Sequence, residues 1–249
     1  MITLAEIEAA LDNNEFFLEY LPTIRLSDNR CVGAEALIRW QRNDKVVPPL
    51  EFIPLIEGSV LSGMITYWVI DKVAEELAEW LNKHDNVHVG INVPPELWGR
   101  GGVFYTLKKS ALNSNASKVI FELSERGIPD RMGVQTILEN ISKAKMALDD
   151  MQLGEANILA LAQLNVDYIK IDKSVIDLIL QDDWATSLQK KQLANCGYDS
   201  NHLYIAEGVE TKKQAQVVAK AGIQFAQGWY FSRSLKVDEF LAYFAQKSP

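Results

Sequence analysis

The chain has 249 residues, 48% of them hydrophobic and 23% charged, with a formal net charge of −8 at pH 7. The length suits one (β/α)8 barrel as readily as two smaller domains, and the composition excludes wholesale disorder. The acidic balance argues against a binder of polymeric nucleic acid, which needs a basic surface, but leaves room for a small anion held through metals.

In chain order, LAEIEAALDN places Leu4, Ile7 and Leu11 at helical spacing. FFLEYLP and VGAEALIRW then read as two strands, and the turn-rich RLSDNR between them predicts an antiparallel, hairpin-like entry. A long helix is expected over about 59–82, followed by the strand VHVGINV, which Pro94-Pro95 closes. Helix over 96–112, strand KVIFELS, helix over 132–143, strand KMALDD, helix over 155–164 and strand VDYIKID continue the alternation. A longer helical region runs through SVIDLILQDDWATSLQKKQLANC; LYIAEG, KKQAQVVAKAG, IQFAQG and VDEFLAYFAQK then give strand, helix, strand and helix.

Eight strands and no Pro/Gly/Ser linker predict one domain over residues 1–249. Cys31 and Cys196 form no metal-ligand spacing and read as core thiols of a cytosolic protein. No basic-then-apolar leader opens the chain, and no run approaches the ~20 apolar residues of a membrane span, so a cytoplasmic protein without a membrane segment is expected.

Isolated polar residues end most of the apolar runs: Glu35, Asn92, Glu122, Asp149-Asp150, Lys170, Glu207 and Gln227. A parallel barrel gathers such residues at the C-terminal ends of its strands, and a pocket rich in carboxylates suits divalent cations and phosphate chemistry. Each residue also has a plainer reading. Glu35 and Arg39 share a strand face and could form a structural pair inside the barrel, or could ligate a metal and grip a phosphate. Adjacent aspartates often mark a solvated turn. Lys170 could sit in a buried ion pair with Asp172 or another acid, or could activate water. Asn92 and Gln227 fit metal or water contacts and equally backbone capping. Glu122 and Glu125 form ELSE, where Ser124 lacks the acid of a capping box. His84, His88 and His202 have no zinc spacing, and His88 reads as a satisfied core or barrel-lining residue.

Taken in order, EALIRW (35–40), EFIPLIE (51–57), INVPP (91–95), ELSE (122–125), ALDD (147–150), DYIKID (167–172), AEGVET (206–211) and QGWYFSR (227–233) resemble the EAL domain family of cyclic di-GMP phosphodiesterases over essentially the whole chain. The resemblance implies an α/β fold, a modified (β/α)8 TIM-type barrel with one antiparallel strand. It also implies hydrolysis of cyclic di-GMP to linear pGpG with two Mg2+ or Mn2+ ions in bacterial second-messenger signalling. Carried over by position, Glu35, Asn92, Glu122, Asp149, Asp150 and Glu207 would form the metal shell, with Asp149 bridging the ions. Lys170 would orient the attacking water or help deprotonate it, acting with Glu207 and Glu35 in catalysis. Arg39 would hold a substrate phosphate, Gln227 a metal-coordinated water, and Glu125 would tether the loop after β-strand ALDD. As partners the resemblance implies cyclic di-GMP and admits a homodimer and a regulatory protein.

Three positions depart from the family pattern. The usual Asp-Asp-Phe-Gly-Thr-Gly-Tyr-Ser-Ser reads Asp149-Asp150-Met151-Gln152-Leu153-Gly154-Glu155-Ala156-Asn157, so the glycine-rich turn is replaced and Glu125 is expected to lose its loop partner. Tyr-Gln-Pro-Ile reads Tyr20-Leu21-Pro22-Thr23, exchanging a guanine-recognising glutamine for leucine, and Ser234 stands where proline commonly follows. The expected function is therefore cyclic di-GMP hydrolysis that is slow or under partner control. The alternatives are a catalytically silent cyclic di-GMP sensor and a protein-interaction regulator.

Overall fold

Strand β1 (Phe16–Arg25) buries Phe16, Leu18 and Tyr20 on one face and leaves Phe17, Glu19 and Leu21 half-buried on the other. This period-2 pattern is that of a strand with one face against the helices and one toward a barrel lumen. The computed structural model describes residues 2–124, 131–140, 143–151, 166–181 and 202–248. Strands β2 (Arg30–Arg42), β4 (His88–Asn92), β5 (Val119–Ser124), β6 (Lys145–Met151), β7 (Tyr168–Ile171), β8 (Leu203–Ala206) and β9 (Phe225–Ala226) join β1 in a ring. The order is β1-β9-β8-β7-β6-β5-β4-β2, closed by β1–β2 pairing. β1 runs antiparallel to both its neighbours. The other neighbours in the ring are parallel. The closed barrel with one reversed strand agrees with the expectation.

The entry hairpin forms as the turn residues predict: Asn29 takes a positive φ of 58° and the Arg25 guanidinium lies 2.6 Å from Asp28. β3 (Lys45–Val47) was not anticipated; it lies outside the ring as an antiparallel flap on β2, reached through Asn43 at φ 52°. The long helix spans Val60–Lys83 and buries Ile65, Val69, Ile70, Val73, Leu77 and Leu81. The expected helix over 96–112 is instead three pieces: 3-10 turns at Pro95–Arg100 and Ala111–Lys118 flank an α-helix at Gly102–Lys109. Gly101 at φ 68° breaks the first junction, and Ser110, in extended backbone, caps Leu112 at the second. The helix expected over 155–164 and residues 182–201 lie outside the described residues, and Cys196 with them. Cys31 is buried, and burial pushes its thiol up to about 12. No helix among the described residues is long and apolar enough to cross a membrane.

One layer of the lumen positions the site. Ile120, Ala147, Tyr168, Ile205 and Phe225 pack together as a separate apolar cluster. Each stands two residues before Glu122, Asp149, Lys170, Glu207 or Gln227, so each shares a strand face with the polar residue above it. His88 completes this floor, its ring 5.8 Å from Tyr168 and 6.1 Å from Phe225. It lines the barrel as expected, but it is not satisfied: its Nε2 has no hydrogen-bond partner among the described residues. Burial, aided by the Lys145 charge, lowers its pKa to about 3, so the ring is neutral at ordinary pH. Gly33 admits that ring, because a Cβ there would lie 2.5 Å from His88 Cδ2 and 2.6 Å from the His88 carbonyl oxygen. Gly33→Ala is therefore expected to destabilise the barrel by about 1–3 kcal/mol through overpacking. Urea unfolding checks this, and an unchanged midpoint would show that β2 and β4 can part there freely.

Candidate active site

Above the apolar floor, Lys170 rises from β7 into a ring of acids carried by four other structural positions. Its side chain is 1% exposed. Nζ lies 3.0 Å from Glu35 on β2, 2.7 Å from Glu122 on β5, 3.1 Å from Asp149 on β6 and 2.8 Å from Glu207 just after β8. Parallel pairing sets this convergence: Glu35 stands opposite Gly90, Asn92 opposite Glu122, and Ser124 opposite Asp149. The β6–β7 register shifts between Leu148 and Met151, where the paired aspartates sit. Asn92 Nδ2 donates to Glu35 Oε1 at 2.8 Å, which leaves the Asn92 carbonyl oxygen as its neutral ligand atom.

Four carboxylates around one ammonium cannot all ionise at ease in a buried site. Burial, then the charge of Glu35, drives the Glu122 carboxyl well above its ordinary range despite the opposing pull of Lys170. Burial likewise pushes Glu207 up to about 8, with Asp149 and Glu35 adding to the effect against Lys170. Burial opposes the Lys170 charge, yet Asp149, Glu122, Glu207 and Glu35 together hold it well above the usual lysine value. The four acids thus favour the ammonium form of Lys170, and their own excess negative charge favours uptake of protons or cations. Oxygens of Glu35, Glu122 and Asp149 lie within 4.8 Å of one another, a spacing that could hold a cation.

The structural Glu35–Arg39 pair is not formed. Glu35 turns to Lys170 and Asn92, while Arg39 Nε donates to Glu19 at 2.8 Å. Lys170 does have buried acidic partners, but Asp172 is not among them: it accepts from Ser174 N at 2.9 Å and caps the helix Lys173–Gln181. Gln227 Nε2 donates to Thr23 Oγ1 at 2.9 Å, and its buried Oε1 has no partner among the described residues. The backbone of Asp150 lies in β6, its side chain is not described, and Glu125 and the altered loop from Gln152 onward lie outside the described residues.

Two contributors escape a search for chemically active side chains. A Cβ at Gly90 would sit 2.1 Å from Glu122 Oε1, so only glycine lets that carboxylate approach Glu35. A glycine inside the strand VHVGINV is the signal that could have exposed it. The second is a cleft of about 510 Å³ beside the acids, reaching from Asn92 and Glu122 along Leu37, Ile53, Ile65 and Pro94.

The model of the EAL domain family matches residues 4–234. The chain is similar to the probable cyclic di-GMP phosphodiesterase PdeB of Escherichia coli strain K12, at 29% identity over 96% of this chain and 46% of that protein. It is 30% identical to the cyclic di-GMP phosphodiesterase PdeL of the same organism, over 100% of this chain and 70% of PdeL. The chain thus spans less than half the length of PdeB. Among solved structures, the EAL enzyme Bd1971 in its cAMP- and cyclic-di-GMP-bound form superposes with a TM-score of 0.83 at 25% identity, over 96% of this chain and 67% of that one.

The raised Glu207 pKa fixes the sign of two pH effects. Between about 4.5 and about 8 the cation-free fold holds a proton that the unfolded chain has released, so its stability falls as pH rises through that window. A cation must displace the same proton. Mn2+ affinity should therefore weaken at least about tenfold for each pH unit below about 8, the raised Glu122 carboxyl adding to the slope, and binding should release protons. Calorimetric titration at pH 6.5, 7.5 and 8.5 in buffers of different ionisation enthalpy reads both. At pH 8, Gly90→Ala should lower Mn2+ affinity by about 10–100-fold, the range seen when a ligand's supporting shell is disturbed; wild-type affinity in that variant would show that Glu122 does not ligate.

Proposed function

The chain belongs to the EAL domain family, and we propose that it hydrolyses cyclic di-GMP to linear pGpG with two Mg2+ or Mn2+ ions as cofactor. The observation that carries this reading is the convergence of Glu35, Glu122, Asp149 and Glu207 on one buried lysine. The donor set fits hard divalent cations: carboxylate oxygens in excess of the local positive charge, an amide oxygen on Asn92 and, after the neighbouring strand β9, a Gln227 Oε1 with no partner among the described residues. Glu35, Asn92, Glu122, Asp149, Asp150 and Glu207 would hold the ions. When bound, such ions neutralise phosphate charge and lower the pKa of the attacking water.

The chain's own residues account for the rest. Lys170 Nζ, held among four carboxylates, would orient the attacking water or help deprotonate it. Gln227 Oε1 accepts from a water, since its amide nitrogen is already committed to Thr23. Arg39 grips a phosphate oxygen through its planar guanidinium. The apolar walls of the 510 Å³ cleft receive a purine and exclude water next to the acids. Water forms a new P–O bond, the bond to the 3′-oxygen breaks, and that oxygen leaves with a proton.

Leu21 favours a second reading, a cyclic di-GMP sensor without turnover. It stands opposite Glu35 in the β1–β2 pairing, on the lumen-facing side of β1, where it offers no hydrogen bond to a base edge. Chromatography of cyclic di-GMP incubated with enzyme and Mn2+ or Mg2+ separates the readings. Hydrolysis predicts pGpG from the wild type and loss of at least about a hundredfold in Glu35→Ala. Saturable binding with no product at high enzyme concentration would establish the sensor, and the absence of both product and binding would end the nucleotide reading.

A further inference from the structure

Arg39 does not project freely from the rim of the barrel. Its Nε donates to Glu19 Oε2 at 2.8 Å, its Nη1 to the Ile38 carbonyl at 3.0 Å, and its Nη2 to Ser234 Oγ at 3.2 Å. Ser234 Oγ donates in turn to the same Glu19 oxygen at 2.6 Å, closing a three-membered ring of hydrogen bonds. A guanidinium has five N–H groups, so two remain, one on each terminal nitrogen. Both lack a protein partner among the described residues. We propose that Glu19 and Ser234 are positioning residues that lock Arg39 with those two N–H groups presented to a substrate phosphate.

The placement is built into the fold. Glu19 pairs with Leu37 in register, on the lumen-facing side of β1 that also carries Leu21 opposite Glu35. Ser234 arrives from beyond β9. Gly228, at φ 145°, turns the chain against the backbone of Val209, where a Cβ would meet Val209 N at 2.3 Å. The returning segment is then pinned to β1 by reciprocal bonds, Tyr20 N to Leu235 O at 2.7 Å and Leu235 N to Tyr20 O at 2.9 Å. In that antiparallel bridge Ser234 falls opposite Leu21, on the side of β1 that also carries Glu19, and its hydroxyl reaches the Glu19 carboxylate diagonally. A surface ion pair is worth little, because two long side chains must be held in one geometry. Here the Arg39 and Glu19 side chains are 16% and 23% exposed, and the hydroxyl shares the fixing. The ring serves to remove rotamer freedom from Arg39 before a ligand arrives.

The proposal rests on reading Arg39 as the phosphate-binding residue, and its test separates the two. Steady-state hydrolysis of cyclic di-GMP with Mn2+ is measured for Glu19→Ala, Glu19→Gln, Ser234→Ala, Arg39→Ala and the double variant Arg39→Ala/Glu19→Ala. Where the wild type binds without turnover, calorimetric Kd in Ca2+ replaces KM. Glu19→Ala should raise KM about tenfold with kcat held within about twofold, and Ser234→Ala about threefold, as expected for lost hydrogen bonds that order a charged ligand contact. Glu19→Gln keeps an acceptor for both donors and should stay within about threefold of wild type. In the Arg39→Ala background, Glu19→Ala should change nothing further. Unchanged KM in Glu19→Ala, a fall in kcat alone, or an undiminished Glu19 effect without Arg39 would overturn the positioning role while leaving the phosphodiesterase reading intact. Wild-type KM in Arg39→Ala would remove the premise, and a wild-type protein that neither binds nor hydrolyses the nucleotide would remove both.

Discussion

Everything at the open end of this barrel is arranged around one ammonium. Lys170 meets four carboxylates within 3.1 Å in a lumen closed from below by apolar side chains. At an effective dielectric of ~20, one such contact at 3 Å is worth about 5.5 kcal/mol, and one repulsion between carboxylates at 4.8 Å about 3.5 kcal/mol. Attractions and repulsions are therefore of the same order, and the desolvation of five charged groups is left over. Without the lysine the acids would repel; with it alone they are still in excess. Raised proton affinity at Glu122 and Glu207 is one resolution of that excess, and divalent cations are the other. Protons and divalent cations thus compete for the same carboxylates, and binding of one releases the other.

The barrel creates this tension without strained backbone at the acids themselves. Positive φ among the described non-glycine residues is confined to Asn14, Asn29, Asn43 and Asn86, none of them in the site. Register does the work instead. Each floor residue and the polar residue two places on share a face, so an apolar layer and a charged layer stack along the barrel axis. The floor keeps water from reaching the acids from below, which strengthens every interaction above it. Small residues decide how closely the layers fit. Gly33 makes room for the His88 ring in the floor, and Gly90 makes room for the Glu122 carboxylate in the layer above.

Much of this was legible in the sequence because it depends on short-range pattern. A polar residue ending an apolar run marks the catalytic end of a barrel strand whatever its distant neighbours, and so Glu35, Glu122, Asp149, Lys170 and Glu207 could be named from their own segments. The reversed β1 was legible for the same reason, through the RLSDNR turn. Features that depend on distant partners were not. The spacing of Glu35 and Arg39 left a mutual pair open beside separate roles, and only the fold shows their actual partners, Lys170 being 135 residues from Glu35 and Ser234 195 residues from Arg39. β3 is too short to carry a period. The break at Gly101 lay in a segment whose composition alone permits a continuous helix.

The departures from the family pattern at Leu21 and Ser234 lie outside the ring of contacts around Lys170, and the electrostatics explain why a change within that ring would cost more. Within the ring of acids every residue answers to several others: removing one carboxylate alters the proton affinity of the rest and the balance around Lys170. At the rim, contacts are local and compensable. Leu21 replaces a hydrogen-bonding side chain beside Glu35 without touching the Lys170 network, and Ser234 supplies a hydroxyl that Glu19 and Arg39 can share. A change of this kind leaves intact the charge arrangement that would bind cations. The site is thus divided between residues coupled through a buried ammonium and residues coupled only to their neighbours, and a substitution in the second group leaves the charge balance of the first intact.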